Sequence, residues 1–384
     1  MCNAVRVIVA GGGVAALETC LALRAFAGDR VHVTLIAPQP CFVHRPTGEH
    51  DPLSVRGLER VPVARMARAA GADPRLDRVA AVDPGARRVF TAQGYELAYD
   101  ALVLAIGAVP LDVPLGAEPF DAAHAGDCRS VLRRLRGGDL GSLAFVEPPG
   151  PTHAFDLYDL ALEAAVSVRR EHVEAGLTLV TAEPGPLAIL GRRASAEVAT
   201  TLGGHGVRVI DSAYVRSVGP GHVDVAPSSR RVAADRVIAA PRLAGPGLAH
   251  LDCDGDGFLP VDTLGRAHGT RHVFAAGDCT SFPVKHPSLA AQQADAVATA
   301  IAAEAGARIE PVPFEPVLKG VLPSRLRWYV EAPLTGGHGD ATRVSALPLW
   351  SPRLRFDARF LGPLLERYAA LTELKTFRVA AGPP

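Results

Sequence analysis

At 384 residues the chain is too long for one small core and suits two or three lobes. Its 40 Lys and Arg residues balance 40 Asp and Glu residues. No overall field therefore draws it to nucleic acid or an anionic membrane, and the expected partners are small molecules or another protein. The six cysteines, Cys2, Cys20, Cys41, Cys128, Cys253 and Cys279, form no CxxC pair, which argues against a metal site or a disulfide scaffold and fits a reducing, cytoplasmic setting.

In chain order, an apolar run from Val5 to Ala10 leads through glycines into a helical pattern with Leu17, Leu21 and Ala25 on one face and Gly28 past its end. A second apolar run, Val31 to Ile36, completes a strand–turn–helix–strand unit, the opening of a doubly wound parallel sheet. No basic segment followed by an apolar one precedes it, and no stretch approaches about 18 uninterrupted apolar residues, so neither export nor membrane spanning is expected. After a loop rich in Pro, His and Arg (Pro38 to Pro52), Arg78 to Val82 and Arg87 to Thr91 read as strands, and Ala101 to Ala105 as a buried strand closing at Gly107.

The pattern then repeats. Strands are expected at Leu143 to Val146, Leu177 to Thr181, Val207 to Ile210 and Asp235 to Ala240, with helices near Phe155 to Arg170 and Arg193 to Leu202. His272 to Ala276 reads as another buried strand and Leu289 to Ala303 as a long helix, which returns the chain to its first lobe. The expected fold is α/β: two Rossmann-like, three-layer dinucleotide-binding domains plus a C-terminal cap or interface. The expected bounds are 1–120 with 241–310 for the first domain, 121–240 for the second and 311–384 for the cap. The last region carries both tryptophans, Trp328 and Trp350, and an amphipathic stretch around Phe356 to Leu371.

Gly11, Gly13 and Ala16 make G-x-G-x-x-A between a strand and a helix. There the backbone can turn tightly, approach a pyrophosphate and aim a helix N-terminus at its charge. An acid that would hold the adenosine ribose is missing from the end of the second strand, where Ala37, Pro38 and Gln39 stand; Gln39 or backbone groups would substitute. Two further runs are more specific: Tyr99 to Pro110, with Ala105 and Gly107 closing the apolar strand, and Thr270 to Asp278.

Together with the glycine turn, these runs resemble the flavoprotein pyridine-nucleotide oxidoreductase superfamily. The likeness spans roughly Val5 to Ala303, and its nearest branch holds the sulfide:quinone oxidoreductases, flavocytochrome sulfide dehydrogenases and type II NADH dehydrogenases. The resemblance implies FAD as cofactor, contacted by Ala105, Gly107, Gly277 and Asp278, with the strand at Val79 offering its backbone to the adenine. His44 and Arg45 lie in a loop that folds over the cofactor in relatives, so Arg45 either meets the pyrophosphate or is a surface residue. Beyond Asp278, a loop feeds a helix expected to be capped by Ser288 and carrying Gln292, whose N-terminus would face the pyrimidine edge of the flavin. Its dipole and the Lys285 ammonium would stabilise the reduced anion, which makes Lys285 the one candidate for a catalytic role.

Two departures bear on the chemistry. The loop of the second unit is Glu147-Pro148-Pro149-Gly150-Pro151-Thr152-His153; prolines have no N–H for a phosphate, so the NAD(P)H cradle is damaged, although Glu183 stands where a ribose-binding acid would sit. No cysteine follows Cys279, so the thiol pair of sulfide-oxidising relatives is not supported.

The leading expectation is an FAD-dependent oxidoreductase passing two electrons from NAD(P)H, or directly from a reduced substrate, to a small organic or quinone acceptor. The alternatives are a sulfide- or thiol-oxidising flavoprotein and a flavin-holding subunit without turnover of its own. For the basic, aromatic C-terminal stretch, packing on its own domain or on a second subunit of a homodimer is expected, with peripheral membrane contact as the alternative.

Overall fold

A computed structural model describes residues 4–44, 58–121, 124–322, 328–334, 341–351 and 354–380. The chain opens with β1 (Val5–Ala10), α1 (Val14–Phe26) and β2 (Val31–Ala37), then α2 (Val63–Ala69), β3 (Asp73–Leu76) and β4 (Ala101–Leu104). It continues through β5 (Glu118–Pro119), α3 (Ala125–Arg136), β6 (Ser142–Glu147), α4 (Ala154–Arg170), β7 (Gly176–Thr181), α5 (Arg192–Gly204), β8 (Val207–Ile210) and β9 (Arg236–Ala239). Last come β10 (Val273–Ala275), α6 (Pro287–Glu304), β11 (Val317–Leu322), β12 (Trp328–Pro333), β13 (Arg343–Ser345) and α7 (Leu361–Ala380).

Two parallel sheets result. The first has the order β3-β2-β1-β4-β10, with Val7 opposite both Val33 and Ala101, and its last strand comes from a segment nearly 170 residues beyond β4. The second has the order β8-β7-β6-β9-β5. All-parallel sheets need both faces covered, because each strand is apolar on both sides, and β4 is buried at every residue. In each half, helices cover one face and a three-stranded antiparallel meander the other. The meanders are Val79–Asp83, Arg88–Thr91, Glu96–Ala98 and Tyr214–Gly219, His222–Ala226, Arg230–Ala233.

The helical face of the first sheet is closed by α1 and α6. In α6, Ala290, Ala294, Val297, Ala298 and Ile301 are buried, mostly small residues that let the helix lie close to α1. On α1 the buried stripe is Ala16, Leu17, Cys20, Leu23 and Ala27, while Leu21 is half-buried and Ala25 exposed. The expected Leu17–Leu21–Ala25 face is therefore rotated, because α1 must meet both the sheet and α6.

The C-terminal region touches both halves. Leu318, Val330 and Ala332 of the antiparallel sheet β11-β12-β13 join the core of the second half, whereas Leu354, Phe356, Leu361 and Leu365 join that of the first. The amphipathic stretch becomes helical only at Leu361. Its N-terminus is held by the buried carboxyl group of Glu18 on α1, which accepts from the backbone N–H groups of Phe360 (2.8 Å) and Leu361 (2.6 Å). No helix among the described residues is long and apolar enough to cross a membrane.

Candidate functional site

The glycine turn forms because β1 runs into the end of β4 at a spacing that excludes side chains. Gly11 has φ +128°, and a Cβ there would lie 2.0 Å from the Ala105 carbonyl oxygen. Gly13, two residues on, meets nothing within 4 Å, and neither does Gly107 at φ +78°. Both glycines border a cavity of about 400 Å³. Gly13 is the N-cap of α1, no side chain caps that helix, and its first turn, Gly13 to Ala15, lines the cavity. Unpaired N–H groups and a positive helix end thus face open space that a side chain would fill, an arrangement fitted to a pyrophosphate.

Ala105, Gly107, Ala276, Gly277 and Asp278 continue this wall, followed by Lys285, His286, Pro287 and Ala290 from the start of α6. A second wall comes from the other half and the C-terminal region: His153, Phe155, Asp156 and Asp159 of α4 and its N-cap, Val321 of β11, and Arg355 with Phe356. Phe42, Val43 and His44 complete the rim.

The walls meet at one polar contact. His153 Nε2 lies 2.8 Å from Asp278 Oδ2, joining residues 125 apart in sequence. Burial works against both charges, yet the contact outweighs it, so the His153 pKa is raised and that of Asp278 lowered, with Lys285 and His286 adding to the latter effect. Lys285 Nζ donates to the Thr280 carbonyl at 2.6 Å and rests 3.9 Å from the centre of the Phe258 ring. Burial brings its pKa down to about 8 against the pull of Asp278, Cys279 and Asp254. Arg355 is bonded to Asp159 and stands 3.8 Å from Asp156, fastening the C-terminal segment to α4.

Of the residues singled out in the sequence, Gly13, Ala105, Gly107, Gly277, Asp278 and Lys285 line this cavity, with Gly11 directly behind it. Ala16 is wholly buried in α1 and permits its packing. Gln39 reaches over the turn, its Oε1 2.8 Å from where a Gly12 Cβ would be, but does not line the cavity. Val79 is paired with Thr91 in the meander and does not line it either. Arg45 lies outside the described residues. The Gln292 side chain is taken up by the backbone of Val317 (2.7 and 3.1 Å) and by Ser288 O, and it is the neighbouring Gln293 that accepts from Gly277 N at 2.7 Å. The cap of α6 is corrected from Ser288 to His286, whose ring accepts from Ser288 N, because Pro287 takes the first helical position.

His153, Asp156, Asp159, Arg355 and His286 were not anticipated as site residues. The proline-rich loop marked only the loss of a phosphate cradle and did not point to His153, whose contact depends on how the two halves meet. Nothing local marks Arg355.

At the equivalent end of the second sheet the arrangement is different. Glu147 is 3 % exposed and accepts from the Tyr158 hydroxyl at 2.7 Å. Burial raises its pKa, and burial together with Glu147 brings that of Glu183 up to about 7. Glu183 accepts from Ile189 N at 3.0 Å. The proline loop is stitched to the segment after β9, with Leu243 N donating to Pro151 O (2.8 Å) and the Thr152 hydroxyl to Pro241 O (2.9 Å). Among the described residues no cysteine lines the cavity and no cluster suited to a metal is present. Cys279 is buried with Sγ against Leu104 O (3.2 Å), and burial pushes its thiol up to about 11.

Among solved structures, the sulfide:quinone oxidoreductase of the hyperthermophilic bacterium Aquifex aeolicus superposes with a TM-score of 0.76 at 19% identity, over 89% of this chain and 87% of that one. A ferredoxin reductase for the CYP199A2 system of Rhodopseudomonas palustris gives 0.65 at 19% identity, over 85% and 82%. The covalent putidaredoxin reductase–putidaredoxin complex gives 0.61 at 18% identity, over 86% and 81%. These likenesses are likenesses of fold. No curated protein matches the chain by sequence. The family model for pyridine nucleotide-disulphide oxidoreductases matches residues 5–138 and 159–304, well over half of the chain and including every strand of the first sheet. The chain therefore belongs to the pyridine nucleotide-disulphide oxidoreductase family, within the flavoprotein superfamily of oxidoreductases.

Proposed function

We propose that this enzyme binds FAD in the cavity described and that a reduced substrate delivers two electrons to it directly, without a nicotinamide nucleotide. A small organic or quinone acceptor then removes them. Bound FAD would supply the two-electron chemistry. The chain's own residues position the reactants and hold charge. The first turn of α1 and Gly13 receive the pyrophosphate, and Asp278 offers its carboxylate to the sugar-like chain. Phe155, Val321 and Phe356 make a mostly apolar wall that excludes water and suits a flat acceptor ring. His153, whose pKa the Asp278 contact raises against burial, can exchange a proton with the substrate side of the cavity.

The observation that carries the donor reading is the buried Glu147–Tyr158 pair beside Glu183 at the end of the second sheet. The Glu147 carboxyl and three prolines stand where a phosphate would need N–H donors and positive charge. A second reading, with NAD(P)H as donor, is favoured by the complete parallel sheet of that half and by Glu183 at the end of β7.

Anaerobic mixing of the yellow protein with NADH, NADPH, sulfide and a water-soluble quinol in separate cuvettes tests both. The expected result is that neither nicotinamide bleaches the flavin at about 1 mM, the upper range of ordinary Michaelis constants, while sulfide or the quinol does. Rapid bleaching by either nicotinamide would overturn the donor reading. A colourless chain that takes up no added FAD would overturn the cofactor as well.

A further inference from the structure

His286 is the N-cap of α6 and is 8 % exposed. Its Nδ1 receives two contacts. The Ser288 backbone N–H donates to it at 3.2 Å, and the Ser288 hydroxyl lies 2.9 Å away. That hydroxyl already accepts from Lys319 N at 3.0 Å, which leaves its own hydrogen to point at Nδ1. A ring nitrogen that accepts from two donors carries no proton, so in the neutral ring the hydrogen sits on Nε2. Among the described residues Nε2 has no hydrogen-bond partner, although the residue lines the cavity.

Space has been kept beside it. A Cβ on Gly320 of β11 would lie 3.1 Å from Nε2 and 3.2 Å from Phe155 Cε1, so glycine in the middle of this strand lets β11 pass the Nε2 edge of the ring without a side chain pressing on it. The charged groups facing the ring are Asp278, from the turn after β10, and His153, from the loop before α4; Lys285 is its chain neighbour. From β11, Lys319 turns its ammonium away to Asp357 at 2.7 Å. Burial outweighs Asp278 and brings the His286 pKa down to about 4, and His153 acts in the same direction.

We propose that His286 is a permanently neutral hydrogen-bond donor of the flavin site, its Nε2–H fixed by Ser288 and directed at the occupant of the cavity. There it supports the negative charge that builds when two electrons arrive. This rests on the FAD reading above. It differs from the expectation for Lys285, whose charge titrates near pH 8, because a neutral donor acts equally across the physiological range.

The test uses the full chain loaded with FAD and labelled with ¹⁵N-histidine. The His286 resonance, assigned by its loss in His286→Phe, is expected to report a neutral Nε2–H ring from about pH 5.5 to about 9, while an ordinary histidine titrates near 6.5. In the same protein, His286→Phe is expected to lower the two-electron reduction equilibrium of bound flavin at least tenfold, about 30 mV in midpoint potential, with FAD content unchanged. His286→Gln, which keeps an N–H at that reach, recovers part of the shift. A resonance that titrates in this window or carries its proton on Nδ1 overturns the proposal, as does an unchanged potential in FAD-loaded His286→Phe. If His286→Phe does not retain FAD, the wild-type tautomer and the His286→Gln potential decide by the same criteria. Failure of the wild-type chain to take up FAD at all is a different outcome, and it defeats the cofactor reading.

Discussion

Gly11 and Gly13 belong to one short motif, but geometry gives them separate tasks. Gly11 serves chain crossing: its Cβ would occupy the position of the Ala105 carbonyl, and its φ of +128° is one that side-chain-bearing residues avoid. Gly13 borders the cavity, and a Cβ there meets no protein atom. Gly11→Ala is therefore expected to lower stability by about 2–3 kcal/mol and to lose FAD. Gly13→Val should keep its melting temperature and lose FAD alone. Thermal melts and the absorbance ratio of flavin to protein separate the two, and equal destabilisation by both substitutions would refute the division. Both glycines were readable from sequence because their constraint is local to a strand–turn–helix. Asp278 was readable for the same reason. Its partner His153 was not, because that pairing depends on how two half-chains meet, and no residue near His153 reports it.

Among the elements, α7 is the least expected in how it is held. A helix N-terminus buried against a neighbour needs acceptors for its N–H groups; the Ala358 carbonyl takes that of Gly362 at 3.1 Å, but no described residue just before Leu361 takes those of Phe360 and Leu361. Glu18 on α1 does, across more than 340 residues of chain. Burial, with Asp295 nearby, raises the Glu18 pKa to about 8 from an ordinary 4.5, although the two backbone N–H donors pull it down. A carboxyl whose folded pKa is raised favours the fold while protonated. Its contribution is present below about 4.5 and is lost as pH rises through about 8. The wild-type melting temperature should therefore fall between about pH 5 and 8 more steeply than that of Glu18→Gln, which cannot ionise. Glu18→Ala, which strands both N–H groups, should cost about 1–3 kcal/mol. Identical pH slopes in wild type and Glu18→Gln would remove the claim. Most strands of the two parallel sheets could be read in advance because apolar runs admit few alternatives, but β3 (Asp73–Leu76) and β5 (Glu118–Pro119) could not, being short and largely polar or proline-containing edge strands. The meanders, the hairpin of Cys41–His44 with Glu59–Pro62, and α2 could be read only in part or not at all, since mixed charged and apolar residues on half-covered faces leave the period ambiguous.

For the molecule as a whole, the consequence of using one fold twice is that the second half can be put to a different purpose. Its sheet end is closed by Glu147, Tyr158 and the stitched proline loop. Its α4 N-terminus does not open onto a cavity of its own half, as that of α1 does in the first half, but presents His153 to the cavity of the other half. The His153–Asp278 contact should thus couple the halves energetically. The His153 pKa is raised above an ordinary 6.5, so its contribution is complete below that value and fades as pH rises through the folded pKa. The Asp278 pKa is lowered below 3.8, so its contribution is complete above that value and fades as pH falls. The pair is strongest between about pH 4 and 6.5. With the His153 side chain 54% exposed, solvent screening limits the effect to less than about 1 kcal/mol. His153→Ala should accordingly melt below the wild type by the widest margin near pH 5 and by a smaller one near pH 9, and added salt should narrow the gap at pH 5. A margin that is constant with pH would mean that His153 acts by packing alone and that the halves are joined through Arg355 and the C-terminal segment.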